Sequence, residues 1–196
     1  GADKNQQGGA VETHGGYSDS EDDYWNLCRC LSGFLNDHCS DSCHVMFWFS
    51  MHYYNATRAF FLDDVDLLFD PFPLIWQKSD NIGLLPDPSR GPRRIYETAF
   101  FGSRGDRKIV RAVSNAYSCG TDRRYHMSAK PTPMLQHFFS MFVDSTTVGL
   151  DPTCGSGSAV LAARLGGAKH FIGLEKNAEF AANARLNLNQ GVQNGQ

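Results

Sequence analysis

Eight consecutive residues in the last third of the chain have the types and order of a nucleotide-binding turn: Asp151-Pro152-Thr153-Cys154-Gly155-Ser156-Gly157-Ser158. An apolar run over 147–150 precedes them and a helical pattern follows, which predicts a strand, a tight turn and a helix. Gly155 and Gly157 have no Cβ, so the backbone can turn sharply and come close to a ligand. We therefore predict a ligand pocket at this turn.

A carboxylate stands where such a pocket needs one. The next predicted strand, over 170–174, ends before Glu175, which follows Gly155 by 20 residues and matches the position of a ribose-binding acid. A dinucleotide site would need a third glycine and a phosphate cradle, whereas Ser158 and Ala159 follow here. The pattern favours a nucleoside without phosphate. A glycine turn required only for packing remains the alternative.

The elements that position this turn alternate along the chain. Apolar periodicity predicts helices near 22–35, 56–69, 133–143, 158–165 and 177–188, and strands near 45–49, 73–76, 96–101, 147–150 and 170–174. Alternation in the tail indicates an α/β fold with a parallel sheet and helices on its faces. The first 20 residues hold five glycines and little that is apolar, so we expect a mobile loop at 1–20 and one domain over 21–196.

Composition limits the class of protein. With 196 residues and 41% hydrophobic content the chain can form one α/β domain, and its apolar runs are far shorter than the roughly 20 residues of a membrane helix. We expect a cytoplasmic protein with no membrane segment. The six cysteines are expected as free thiols. Cys28, Cys30, Cys39 and Cys43 could instead hold zinc, but their spacing fits no common structural site, so we predict no metal.

The net charge of −3 hides an asymmetry. Residues 1–77 carry 12 acidic and 3 basic side chains, residues 78–130 carry 5 and 11, and residues 131–196 carry 4 of each. Only the middle third therefore suits a polyanion. We predict contacts to DNA phosphates, with target recognition near 103–128, although a solvated basic face is the alternative. The predicted contacts are Arg93, Arg94, Arg104, Arg107 and Lys108.

The octet resembles the Asp-Pro-Phe-Cys-Gly-Ser-Gly-Thr motif of the S-adenosylmethionine-dependent amino-methyltransferases of DNA. His126-Met127-Ser128-Ala129-Lys130-Pro131 resembles the His-Pro-x-x-Lys-Pro element of their circularly permuted, beta-class-like group, where it lines the methionine end of the cofactor. Residues 73–78 and 93–105 resemble the strand and loop elements that follow the catalytic motif. The resemblance covers roughly residues 20 to 190.

This resemblance implies a Rossmann-like methyltransferase sheet, S-adenosylmethionine as cofactor and double-stranded DNA as partner, as in restriction-modification or phage enzymes. Methyl transfer to the exocyclic amino group of adenine or cytosine is the implied reaction. An RNA methyltransferase and a non-catalytic remnant remain alternatives. The implied cofactor-binding residues are Lys130, Pro131, Asp151, Thr153, Cys154, Gly155, Ser156, Gly157, Ser158, Glu175 and Lys176.

The catalytic element of that family is missing. It reads Asp, Asn or Ser followed by Pro-Pro and an aromatic residue, yet the chain contains no Pro-Pro dipeptide. We expect that Gly1 lies just downstream of the true motif, that the sheet is incomplete, and that an upstream domain or separate fragment supplies the chemistry. Asp70-Pro71-Phe72-Pro73 is a weaker alternative, as is Cys154 acting as a nucleophile. The catalytic residues are left unassigned.

Overall fold

A computed structural model describes residues 20–85, 87–122 and 128–193. Five α-helices are formed in this part of the chain: α1 Glu21–His38, α2 Tyr54–Val65, α3 Thr132–Phe139, α4 Ser158–Leu165 and α5 Ala178–Gln193. The strands are β1 Cys43–Phe49, β2 Leu68–Phe69, β3 Leu74–Lys78, β4 Tyr96–Arg104, β5 Ala116–Cys119, β6 Val148–Asp151 and β7 His170–Gly173. The predicted mobile loop at 1–20 lies outside the described residues except for Ser20, whose hydroxyl caps α1.

The strands form two sheets. The larger has the order β1-β4-β3-β5, with the short β2 also paired to β4. Its β1, β2 and β3 run antiparallel to β4, while β5 runs parallel to β3. The smaller sheet is the parallel pair β6-β7. The α/β prediction is confirmed and the parallel arrangement is correct for the tail, but the larger sheet is mixed.

Alternating side chains of the larger sheet feed two cores, because successive strand residues point to opposite faces. Phe47, Phe49 and Phe100 pack beneath α1 and α2 on one face. Trp76 and Ala99 pack beneath α3 and α4 on the other. Helices therefore cover both faces of the larger sheet, as predicted.

The direction of β6 relative to the larger sheet follows from Arg107, three residues beyond the end of β4. Its guanidinium donates to Thr146 Oγ1 at 3.4 Å and to Thr147 Oγ1 at 3.3 Å, immediately before β6 begins. The end of β4 also pairs with the start of β1, Cys43 opposite Arg104. Strands β1 and β6 therefore start at the same edge and run the same way. Their carboxyl ends face the opposite edge, called here the carboxyl edge.

Three predicted helix ends needed correction. The helix predicted for 56–69 stops at Val65, because Asp66 adopts a left-handed conformation with φ 53° and Leu68 then pairs with Ser103 in β4. The helix predicted for 133–143 ends at Phe139 and continues as turns that include the bond from Val143 N to Phe139 O, 2.7 Å. The last helix extends beyond 188 to Gln193.

Candidate cofactor-binding site

The octet forms the predicted turn between β6 and α4. Gly155 and Gly157 both have positive φ, +49° and +74°, a region that glycine enters without steric cost. A Cβ at Gly157 would lie 3.1 Å from the Cβ of Ala184 in α5. A Cβ at Gly155 would meet no heavy atom of the described residues within 4 Å, apart from its chain neighbours. The second glycine therefore serves helix packing, while the first borders open space.

Glu175 joins the turn to the next strand. Its Oε2 accepts the Gly155 N–H at 3.0 Å and its Oε1 accepts the Asn177 N–H at 2.8 Å. The structure thus brings together the glycine and the acid that were predicted to form one site. Asn177 was missed, although its role as the cap of α5 is local: its Oδ1 accepts from the N–H groups of Glu179 and Phe180.

Asp151 lies beside this carboxylate at the end of β6. Its Oδ1 accepts the Thr153 N–H at 3.0 Å. Burial raises the pKa of Asp151, and the nearby Glu175 charge raises it further despite that hydrogen bond. Burial also raises the pKa of the Cys154 thiol to about 11, with smaller contributions from both carboxylates. The thiol is therefore protonated at neutral pH, which argues against Cys154 as a nucleophile.

The other members of the octet separate into inward and outward groups. Ser156 and Ser158 are buried, with their hydroxyl oxygens 3.0 Å apart. The buried Asn187 of α5 donates to the Ser156 carbonyl at 2.9 Å, a contact for which the sequence carried no signal. Thr153 is exposed, as is Lys176 beyond β7. The two serines therefore shape the turn from within, and Thr153 and Lys176 are open to solvent.

Lys130 stands at the same edge, before α3 begins. Its Nζ lies 2.9 Å from Glu97 Oε2 and 5.2 Å from the centre of the Trp48 ring. Trp48 is the penultimate residue of β1, so Lys130 lies near the carboxyl ends of the strands. Pro131 is buried and precedes α3 directly. His126 and Met127 of the same predicted element lie outside the described residues.

The predicted cofactor residues thus converge on one edge. Asp151 ends β6, Glu175 follows β7, and Lys130 lies over the end of β1. Open α/β sheets bind ligands at the carboxyl ends of their strands. Asp70 stands on the other side: its backbone N–H donates to Phe101 O, and it precedes the start of β3. Its carboxylate accepts the Phe72 N–H and shapes a turn, which removes the alternative catalytic site.

The predicted DNA-contacting residues do not form one surface. Arg93 and Arg94 are exposed and lie before the start of β4 at the carboxyl edge. Arg107 lies at the opposite edge, beside Asp144 at 3.6 Å, and the exposed Lys108 follows it.

Arg104 is engaged by the protein itself. Its Nη2 donates to the carbonyl oxygens of Leu35, Cys39 and Ser40 at 2.9, 3.3 and 3.1 Å. These are carbonyls in and after the last turn of α1, where intrahelical partners are lacking. This geometry corrects the assignment of Arg104 to DNA and makes it a cap for α1.

Neither a metal site nor a membrane helix was found in the part of the chain that the structure describes. Within residues 20–85, 87–122 and 128–193, no cluster of three His, Cys, Asp or Glu side chains is arranged to hold a metal. Cys28, Cys39 and Cys43 are free, and burial raises the pKa of each thiol. No helix in these ranges has the length and apolar character needed to span a bilayer.

Solved structures give the comparison for the fold. The M1.HpyAVI–SAM complex has a TM-score of 0.72 and 17% identity, covering 87% of this chain and 85% of that chain. The cytosine-N4-specific PvuII DNA methyltransferase has a TM-score of 0.64 and 16% identity over 95% of this chain and 83% of its own. TTHA0409, a DNA modification methylase from Thermus thermophilus complexed with S-adenosyl-L-methionine, has a TM-score of 0.60 and 16% identity over 87% and 80%.

The chain has the fold of these methyltransferases. No protein-family model matches the sequence. No curated protein matches it either. The likeness is therefore one of architecture: a Rossmann-like arrangement conserved at identities of 16% and 17%.

Proposed function

We propose that this chain is the cofactor-binding part of an S-adenosylmethionine-dependent DNA methyltransferase. The observation that carries the proposal is the turn after β6, where Glu175 holds the Gly155 amide, Asp151 stands beside it, and the space above Gly155 is open. Two of the structures that share the fold were solved with this cofactor. The cofactor would supply an electrophilic methyl group.

The charges of the turn support a nucleoside without phosphate. Phosphate-binding turns point free backbone N–H groups at the ligand. Here the Gly155 N–H donates to Glu175 and the Gly157 N–H donates to Cys154 O at 2.7 Å. Asp151 and Glu175 would also repel a phosphate. Carboxylates instead suit the hydroxyl donors of a ribose and the positive charge of a sulfonium.

The roles within the site follow from these positions. Glu175 would accept from the ribose hydroxyls, as a carboxylate at the end of the second strand does in nucleotide-binding folds. Lys130 and Pro131 would border the amino-acid end, which the family resemblance implies. Thr153 and Lys176, both exposed, would border the open side of the pocket. The target would be the exocyclic amino group of adenine or cytosine in a base turned out of double-stranded DNA.

We further propose that the catalytic element comes from polypeptide other than these residues, so that the chain alone is inactive. The sequence holds no Pro-Pro dipeptide. Within the described residues, β1 and β6 run the same way but belong to different sheets. Val148, Ile172 and Leu174 are 67%, 45% and 51% exposed, although parallel strands are ordinarily covered on both faces. An added strand and its connection would join the sheets and cover these side chains.

DNA would approach the carboxyl edge, because the transferred methyl group must reach the base there. Arg93 and Arg94 are the predicted basic residues that lie at this edge and are exposed. Arg107 and Lys108 lie at the far edge, and we propose no contact between them and the DNA segment at the active site. Part of the predicted recognition region, 123–127, lies outside the described residues.

The test is labelling with tritiated S-adenosylmethionine. Ultraviolet irradiation should crosslink the label to the 196-residue chain, while unmethylated DNA mixed with it should gain no tritium. A fusion that adds a segment bearing Asp-Pro-Pro-Tyr or Ser-Pro-Pro-Tyr before residue 20 should transfer label to DNA. Transfer by the chain alone would contradict the missing catalytic element. Failure to crosslink, or crosslinking undiminished by excess S-adenosylhomocysteine, would contradict the cofactor site.

A further inference from the structure

Glu97 forms a double ion pair that the proposed function leaves unexplained. Its Oε1 lies 2.7 Å from Lys78 Nζ and its Oε2 lies 2.9 Å from Lys130 Nζ. The three side chains are only 34%, 15% and 24% exposed. They come from three places in the sequence: the middle strand β4, the end of β3, and the segment before α3.

Two tryptophans hold the lysines from the other side. Lys78 Nζ lies 5.1 Å from the ring centre of Trp76, and Lys130 Nζ lies 5.2 Å from that of Trp48. Trp76 pairs with Glu97 across the sheet, and Trp48 pairs with Ala99, two residues beyond Glu97 in β4. All of these side chains therefore share the face that α3 covers. Each ammonium group lies between a carboxylate oxygen and an aromatic ring, a favourable place for a cation.

The balance of charge in this cluster makes Glu97 its organising residue. Burial raises the pKa of the Glu97 carboxyl, but the charges and hydrogen bonds of Lys130 and Lys78 outweigh it and hold that pKa below its usual range. Glu97 is therefore ionised at neutral pH. Without its charge, two ammonium groups would face each other across a single side chain, with nothing from Glu97 to neutralise them.

We infer that Glu97 is a positioning residue for the cofactor: it fixes Lys130, and with it the Lys130–Pro131 segment, at the amino-acid end of the pocket. This inference rests on the proposed function and deepens it. Glu97 itself does not touch the cofactor. It acts through Lys130, whose ammonium group it holds against β1, so that the chain enters α3 in one conformation.

The contribution of Lys78 differs from that of Lys130 and supplies a matched control. Lys78 follows Trp76 within β3 and is anchored by the sheet, whereas Lys130 belongs to a connecting segment. Lys78→Met keeps an apolar stem over Trp76, removes one ion pair of Glu97 and leaves the pair with Lys130 intact. A merely structural role for the cluster predicts similar effects of Lys78→Met and Glu97→Gln. A positioning role predicts an effect on the cofactor only for Glu97→Gln.

The experiment is calorimetry with two ligands on the 196-residue chain and its variants. S-Adenosylhomocysteine contains the amino-acid end of the cofactor, and 5′-methylthioadenosine lacks it. Glu97→Gln should weaken S-adenosylhomocysteine about tenfold or more, the loss expected for a hydrogen bond to a charged group. It should weaken 5′-methylthioadenosine less than about threefold, a difference near the scatter of single contacts. Lys78→Met, and Asp63→Asn as an exposed acid on α2, should leave both affinities within the same limit.

The outcomes separate this inference from the proposed function. Equal weakening of both ligands by Glu97→Gln, or equal effects of Glu97→Gln and Lys78→Met, would overturn the positioning role even where the wild-type chain binds. Unchanged affinity in Glu97→Gln would do the same. Failure of the wild-type chain to bind either ligand would overturn the proposed function and this inference with it. Thermal denaturation of each variant confirms that the protein tested is folded.

Discussion

Replacing Gly155 and Gly157 separately with alanine distinguishes a ligand-binding turn from a turn shaped only for packing. Both residues have positive φ, and an alanine forced into the left-handed region costs about 1–2 kcal/mol. Gly157→Ala also brings a methyl group to 3.1 Å from the Ala184 Cβ, and overpacking of this kind costs about 1–3 kcal/mol. Gly155→Ala adds no such contact, because its Cβ would project into open space.

The two variants should therefore rank in opposite orders for stability and binding. Urea denaturation should give a loss of about 1–2 kcal/mol for Gly155→Ala and about 2–5 kcal/mol for Gly157→Ala, from the sums of those costs. For a chain of this length the melting temperature falls by about 2–4 °C for each kcal/mol. Calorimetry should show S-adenosylmethionine bound about tenfold or more weakly by Gly155→Ala, since its methyl group occupies the ligand's space.

Gly157→Ala, measured at a temperature where it remains folded, should bind within about threefold of the wild type, a change of less than about 0.7 kcal/mol. The reasoning is refuted if Gly155→Ala binds as the wild type does. It is also refuted if both variants lose affinity in proportion to lost stability. Either result would mean that the open space above Gly155 is not where the cofactor lies.

Three further predictions concern charge. Burial raises the folded-state pKa of Asp151, so its ionisation opposes folding as pH rises through that pKa; Asp151→Asn should match the wild type in urea near pH 4 and become the more stable protein toward neutral pH. An Asn variant equally stable at every pH would contradict the buried carboxylate. Arg104→Met should lose about 1–3 kcal/mol in urea because three carbonyl oxygens lose their donor, with DNA affinity in the fusion protein unchanged; weakened DNA binding would restore Arg104 to the contact surface. Removing Arg93 and Arg94 together from that fusion should weaken filter binding of DNA and lower the slope of log K against log salt by about two, whereas an unchanged slope would place the DNA elsewhere.

Local features of the site were predictable from the sequence. The strand, glycine turn and helix around Gly155 follow from residue types that act on their immediate neighbours, and the helix over 158–165 has the predicted bounds. The distance from Gly155 to Glu175 is set by one helix and one strand, so residue spacing alone placed the two together. Likewise, apolar periodicity located α1 and β1, whose alternating faces are written in consecutive residues.

Contacts between distant segments were not predictable in this way. Glu97 and Lys130 are brought together by the pairing of β4 with β3 and by the entry into α3, which no spacing rule encodes. Arg104 carries the same charge as an arginine that contacts DNA, and only the position of α1 against β4 shows that its guanidinium caps a helix. The mixed sheet was missed for a related reason. Strand direction depends on the connections, while the apolar pattern of a buried strand is the same in either direction.

Titration of S-adenosylmethionine into the wild-type 196-residue chain, in competition with ATP and NAD⁺, is the most direct test of the proposed pocket. The turn amides of Gly155 and Gly157 are already bonded within the protein, and Asp151 and Glu175 flank the space above them. We predict micromolar binding of S-adenosylmethionine that neither phosphate-bearing nucleotide reduces. Binding of ATP or NAD⁺ at the same site, or no binding of S-adenosylmethionine, would contradict the assignment.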